Sequence, residues 1–122
     1  MLNIFPIQIT IIGKEEIIEG QLVRTNAPRT VEKILTKLPI TGRAAKQGNQ
    51  VNLTIGINMG KEKATKLAKK GEIGYWIMGD AISIFLEDTE PYGEINVIGN
   101  ITLNLEKLKD LRLGTSLKLD RK

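Results

Sequence analysis

The chain has 122 residues, with 18 Lys and Arg against 14 Asp and Glu for a net charge of +4, and it contains neither cysteine nor histidine. That length suits one domain, 1–122, around one core. Without Cys there is no thiolate chemistry or disulfide, and without His the commonest metal ligand and the side chain best matched to proton transfer near neutral pH are missing, so triads are excluded and neither metal nor cofactor is expected.

The opening "MLNIFPIQITIIG" carries no basic leader and includes Pro6, Gln8 and Thr10, which reads as mature, folded protein rather than a signal segment. No run approaches the roughly 18 apolar residues of a membrane span, so a cytoplasmic protein without membrane contact is expected. Charges of both signs are interspersed, which solubility explains without a polyanionic partner. The abundance of Ile and Lys is compatible with a thermophile.

In chain order, Ile7, Ile9 and Ile11 share one face of a first strand, with Gln8 and Thr10 on the other. Gly13-Lys14 then turns the chain into "EEIIEGQLVR", where Ile18, Gly20 and Leu22 face inward and complete a hairpin. In "NAPRTVEKILTKLP" the period changes. Pro28 suits a first helical turn just after Asn26, and Val31, Ile34, Leu35 and Leu38 fall at i, i+3, i+4 and i+7 before Pro39 stops the run. This predicts a helix over 28–38. "VNLTIGIN" sets Val51, Leu53, Ile55 and Ile57 against Asn52, Thr54, Gly56 and Asn58, a further strand. Strands are also predicted at 73–78, 81–87, 95–102 and 116–120. A short helical turn is predicted near 105–111, with Asn104 able to cap it and Gly114 placed to end it. Many short strands around one clear helix predict a mainly β fold, a closed barrel plugged by that helix.

"NAPRTVEKILTKLP" resembles the first helix of the cyclophilins, and "INVIGNITLNLEKLKDLRLG" resembles the cyclophilin stretch in which a strand leads into a short helical turn. The closer resemblance is to the small cyclophilin-like family of uncharacterised prokaryotic proteins. It is carried by Ala27-Pro28-Arg29-Thr30, Gly42-Arg43-Ala44, Gly71-Glu72-Ile73-Gly74-Tyr75-Trp76 and Ile95-Asn96-Val97-Ile98-Gly99. The resemblance implies an eight-stranded, helix-capped barrel. It implies no activity, since fold does not fix function. The chain departs from the family pattern at Ile77-Met78-Gly79, where Pro-Pro-Gly is usual, and at Ala45-Lys46-Gln47-Gly48, where Asn-x-Trp-Gly is usual, so one groove aromatic is missing.

Prolyl isomerisation needs no acid or base. Its barrier of about 18–20 kcal/mol comes from amide resonance and falls if a donor stabilises the twisting prolyl nitrogen. Arg43 is the candidate for that donor, with Gln47 as a second, although "ITGRAAKQGNQ" lacks a Phe to wall a proline pocket. A solvated or salt-bridged Arg43 is the plainer reading. In the aromatic stretch 71–85, alternation puts Ile73, Tyr75 and Ile77 on one face and Gly74, Trp76 and Met78 on the other. Trp76 is therefore the groove candidate, and its plainer role is packing beneath a loop. Arg43, Gln47, Trp76 and Phe85 together form the expected ligand-binding set, for a peptide or small molecule bound without catalysis. An isomerase using Arg43 is the alternative.

Lys61, Lys63, Lys66, Lys69 and Lys70 crowd one segment and raise a third reading, an RNA-contacting accessory protein. Interspersed Glu62, following Glu72 and the lack of interleaved aromatics favour a solvated connector instead. Glu87, Asp88, Glu90 and Glu94 gather around Pro91 and Gly93 without the spacing of a calcium loop. Neither Ser83 nor Ser116 sits in a nucleophile elbow, and there is no phosphate-binding glycine loop.

Overall fold

The structure, a computed structural model, describes residues 3–122. The alternating isoleucines build β1 (Ile4–Ile11), which pairs antiparallel with β2 (Glu16–Val23), Ile9 lying opposite Ile18 and Ile7 opposite Gly20. Residues Gly13 and Glu15, both with positive φ, close the turn. Helix α1 (Pro28–Lys37) buries Thr30, Val31, Ile34 and Leu35, the stripe that its 3.6-residue period dictates. Leu38 caps it and Pro39 ends it, one residue earlier than its spacing predicts.

The remaining strands are β3 (Ile40–Arg43), β4 (Ala45–Gln47), β5 (Gln50–Thr54), β6 (Glu72–Trp76), β7 (Ala81–Phe85), β8 (Ile95–Leu103) and β9 (Ser116–Arg121). They form one nine-stranded sheet in the order β3-β9-β1-β2-β8-β6-β7-β5-β4. Its two outermost strands, β3 and β4, are consecutive halves of residues 40–47, separated by Ala44 alone, whose N–H donates to Thr115 O. One bent segment thus pairs with β9 at its start and with β5 at its end, and the sheet closes on itself as a barrel. Counted through that bend, the barrel has the expected eight staves.

Inside lie Ile7, Ile9, Ile11, Ile18, Leu22, Val51, Leu53, Ile73, Tyr75, Ile82, Ile84, Ile98, Leu117 and Leu119, with Val31 and Ile34 of α1 covering them. Tyr75 is wholly buried and Ile73 nearly so, which fixes the interior face of β6. A second, smaller cluster of Ala68, Phe85 and Ile95, flanked by Trp76 and Val97, occupies the opposite face of the sheet. The 61–70 segment crosses there without forming a helix, tied by isolated bridges from Thr65 to Ile95 and from Ala68 to Thr89.

The sequence reading predicted no strand over 40–47, where β3 and β4 lie, and three further details differ from it. The "VNLTIGIN" ladder stops at Thr54, because Ile55 N–H donates to Asp80 O as the chain leaves the sheet, yet Ile55 and Ile57 remain buried. Strand β6 ends at Trp76 rather than 78, since a turn occupies 77–80, and β7 ends at Phe85 rather than 87, where the chain bends at 86–88. The late helical turn is a short 3₁₀ element, Leu105–Leu108, and Asn104 does not cap it: with φ 67 its side chain donates instead to Ile17 O.

Candidate functional site

Strand register places the candidate residues on the outside of β4, β5, β7 and β6. One row runs Ala45, Asn52, Ser83, Gly74; beside it lies Gln47, Gln50, Phe85; on the other side lies Thr54, Ala81, Trp76. Adjacent rows are two residues, about 7 Å, apart. Arg43 lies two residues before Ala45. Its neighbours turn inward, since a Cβ on Gly42 would sit 3.0 Å from Leu53 Cδ1 and Ala44 packs on the core, so Arg43 points out and is exposed. Among the described residues no ion pair engages it.

The floor of this face is polar and buried. Gln50, Asn52 and Ser83 are buried and satisfy one another: Gln50 Nε2 donates to Asn52 Oδ1 at 2.8 Å and to Ser83 Oγ at 3.2 Å, and Ser83 Oγ donates to Asn52 Oδ1 at 2.6 Å. Tyr92 N–H donates to Gln50 Oε1, and Asn52 Nδ2 donates to Gln47 Oε1 at 3.1 Å. With its oxygen committed inward, exposed Gln47 presents its Nε2 donors to solvent. Sequence reasoning passed over Gln50 and Asn52. The signal was their parity, opposite to the isoleucine series and shared with Ser83.

The two aromatics take up different roles. Phe85, expected to contact ligand, is 0% exposed and forms part of the second cluster instead, because its parity sets it beneath the 61–70 crossing. Trp76 is half-buried in the same cluster. Its indole Nε1 is buried without a partner, and the turns bearing Gly79 and Gly93 lie against its ring. The structure therefore leaves Arg43 and Gln47 open, puts Trp76 at an edge and shuts Phe85 away.

The basic segment is largely tied to the acidic turn. Lys61 Nζ lies 3.1 Å from Glu94, and the backbone N–H groups of Lys70 and Lys69 donate to Asp88 and Glu72, while the side chains of Lys63, Lys66, Lys69 and Lys70 are all exposed. Glu87 pairs with Lys109. Among the described residues no group of Asp and Glu is arranged to hold a metal ion.

Two polar pins hold the far side of the barrel. Tyr75 hydroxyl donates to Asp80 Oδ1 at 2.6 Å and accepts from Met59 N–H, while Ile57 and Asn58 N–H also donate to Asp80 Oδ1. Burial, then the bond to Asp80, pushes the Tyr75 phenol up to about 12. For Asp80 burial acts in the raising direction, but the donors Tyr75, Asn58 and Ile57 and the charge of Lys37 outweigh it and hold the carboxyl below its ordinary value. In the second pin Glu62 accepts from Thr30 Oγ1, Thr30 N–H and Arg29 N–H, so a side chain far along the sequence caps α1. Burial again raises, and these three donors with the Arg29 charge lower, the Glu62 carboxyl, with a net fall. Asn96, buried, accepts from Glu62 N–H and donates to Thr30 Oγ1 and Gly60 O.

A model of the cyclophilin-like family matches residues 6–120. The chain belongs to the cyclophilin-like family. This cyclophilin-like barrel is similar to a hypothetical protein of Archaeoglobus fulgidus solved in solution, with a TM-score of 0.81 and 27% identity over 98% of this chain and 96% of the other. It also shares its fold with McbB, solved in complex with tryptophan, at a TM-score of 0.79 and 14% identity, covering 95% of this chain and 44% of McbB. No curated protein matches it. No helix among the described residues is long and apolar enough to cross a membrane.

Proposed function

We propose that this cyclophilin-like domain binds a peptide or small ligand on the outer face of β4, β5 and β7, without catalysing a reaction on it. The observation that carries the reading is Gln47. A buried chain of amides and a hydroxyl, Gln50, Ser83 and Asn52, fixes its oxygen inward and leaves its NH₂ facing out beside an unpaired Arg43. Held donors of this kind suit the carbonyl groups of a peptide or an amide-bearing small molecule, because little rotamer freedom is lost on binding.

Isomerase activity is the second reading, favoured by the free guanidinium of Arg43. It would need an apolar slot to seat the prolyl ring beside that donor. Phe85 is buried, and Trp76 is covered by the turns at 77–80 and 91–94, so neither offers an open aromatic wall.

NMR titration with Ala-Pro, Leu-Pro and Phe-Pro peptides tests both. Shifts at Arg43, Gln47 and Asn52 without faster cis/trans exchange, weakened by Gln47→Leu, are expected. Acceleration abolished by Arg43→Ala would replace the binding reading with an isomerase. Absence of both shifts and acceleration would remove prolyl peptides as ligands. If single-stranded RNA instead shifted Lys63 and Lys66 and bound less tightly as salt rose, the contact would belong to the basic segment.

A further inference from the structure

On the far side of the barrel from Gln47, one face of α1 opens on a cleft of about 510 Å³, lined by Arg29, Glu32, Lys33, Thr36, Ile57 and Met59. That volume falls within the roughly 300–1,000 Å³ usual for small-molecule sites. Arg29, Lys33 and Lys37 recur at i, i+4 and i+8, which sets three cations along one helical stripe. The opposite wall is the segment that leaves β5, and it presents apolar Met59 and the small exposed part of the otherwise buried Ile57. Its backbone is held by the N–H bonds of Ile57 and Asn58 to Asp80 and of Met59 to Tyr75. Further bonds tie α1 to the chain that follows β5: Lys37 Nζ reaches Gly56 O at 3.3 Å, and Glu62 accepts from the backbone of Arg29 and Thr30.

The charge balance decides what such a cleft accepts. The one carboxylate lining it, Glu32, is already engaged with Arg24 at 2.8 Å, and nearby Glu62 accepts hydrogen bonds at the start of α1. Among the described residues the side chains of Arg29 and Lys33 make no ion pair, although the Arg29 charge also acts on the Glu62 carboxylate, so both cations remain available to the cleft. The N–H groups at the start of α1 take no part, because Glu62 occupies them. From this juxtaposition we infer that the cleft is a binding site for a small organic anion, one whose apolar body lies on Ile57 and Met59 and whose carboxylate or phosphate group meets Arg29 and Lys33. Such an occupant uses both walls at once, whereas a bare inorganic anion would leave the apolar wall wet and a neutral ring would leave the cations unpaired.

The probe is 2-naphthoate, compared with its neutral isostere 2-naphthamide and with inorganic phosphate, each titrated while backbone amide shifts are followed. Saturable shifts confined to residues 29–37 and 56–62 are expected with naphthoate, with naphthamide and phosphate each at least about tenfold weaker, as loss of a charge-assisted pair or of the apolar contact requires. The double variant Arg29→Gln/Lys33→Gln should lose about tenfold in naphthoate affinity, while Lys63→Gln/Lys66→Gln, with the same change in net charge, should lose none. Thermal unfolding checks that both variants are folded. Shifts mapping elsewhere, no saturation, equal binding of naphthoate and naphthamide, equal binding of naphthoate and phosphate, or equal losses in the two double variants would each overturn the assignment.

Discussion

At Tyr75 a single hydroxyl joins the barrel interior to the segment that leaves β5. Removing it in Tyr75→Phe strands the Met59 N–H and takes one donor from Asp80, which should destabilise the fold by about 1–3 kcal/mol in chemical denaturation. The folded phenol titrates above its ordinary value of 10.0, at about 12, so its contribution is fully present below pH 10 and is lost as pH rises through 12. Stability measured across that window should fall more steeply in the native chain than in Tyr75→Phe. The carboxylates act in the other direction. Glu62 and Asp80 are held below their ordinary 4.5 and 3.8, so their contributions are present above those values and vanish as pH drops through the lower folded values. Glu62→Ala should cost about 1–2 kcal/mol at neutral pH, as loss of a helix cap does, and should flatten the acid limb of the stability curve. If the acid limb kept its slope in Glu62→Ala, the capping role assigned to that carboxylate would be wrong.

At the scale of elements, much of the barrel was legible because its interior repeats so regularly. Ile7, Ile9 and Ile11, then Val51 and Leu53, alternate in the period of two that a half-buried strand imposes, and Val31, Ile34 and Leu35 switch to the period of a helix. What alternation could not show is which outward positions are covered again. Asn52, set opposite the Val51 and Leu53 series, and Ser83, which shares its face, are buried. Phe85, expected to contact ligand, is buried beneath the 61–70 crossing, while Arg43 and Gln47 are exposed. The helix cap was illegible from local sequence, since its carboxylate comes from Glu62. Nor does the sequence alone mark Gly99, where β2 and β8 approach so closely that a Cβ would overlap the carbonyl oxygen of Gln21. Gly99→Ala must therefore push β2 and β8 apart, next to the β6–β8 register shift at Ile73 and Gly74. A loss of about 3 kcal/mol or more is expected, at the upper end of overpacking costs. Amide hydrogen exchange should show the lost protection first at Gln21 and Leu22; a variant as stable as the native chain would mean that the barrel can widen there freely.

The whole molecule depends on how its ring is shut. The final strand, β9, pairs with β1 through Leu119 opposite Ile9 and with β3 through Leu119 opposite Ile40, so it stands between the first strand and the bent segment that carries Arg43 and Gln47. Removing it would expose two unpaired strand edges together with the interior faces of Ile9, Ile11 and Ile40, apolar surface and open ladders at one seam. Shortening the chain after Gly114 should accordingly give no dispersed amide spectrum and a species that associates on a sizing column, rather than a smaller folded barrel. The dependence reaches the proposed ligand face through geometry: β3 is held to the sheet only by β9, and its last residue, Arg43, is paired with Ser116. A separate Thr115→Pro substitution keeps every strand and the Thr115 carbonyl that accepts from Ala44, but removes the Thr115 N–H that donates to Arg112 O just before β9 begins. It should loosen the entry to β9 and shift Arg43 and Ser116 signals more than those of Gln47, which β4 and β5 hold independently. Equal disturbance at Arg43 and Gln47 would mean that the two halves of the bent segment move as one, and that the donors of the proposed site are positioned together by the closure of the ring.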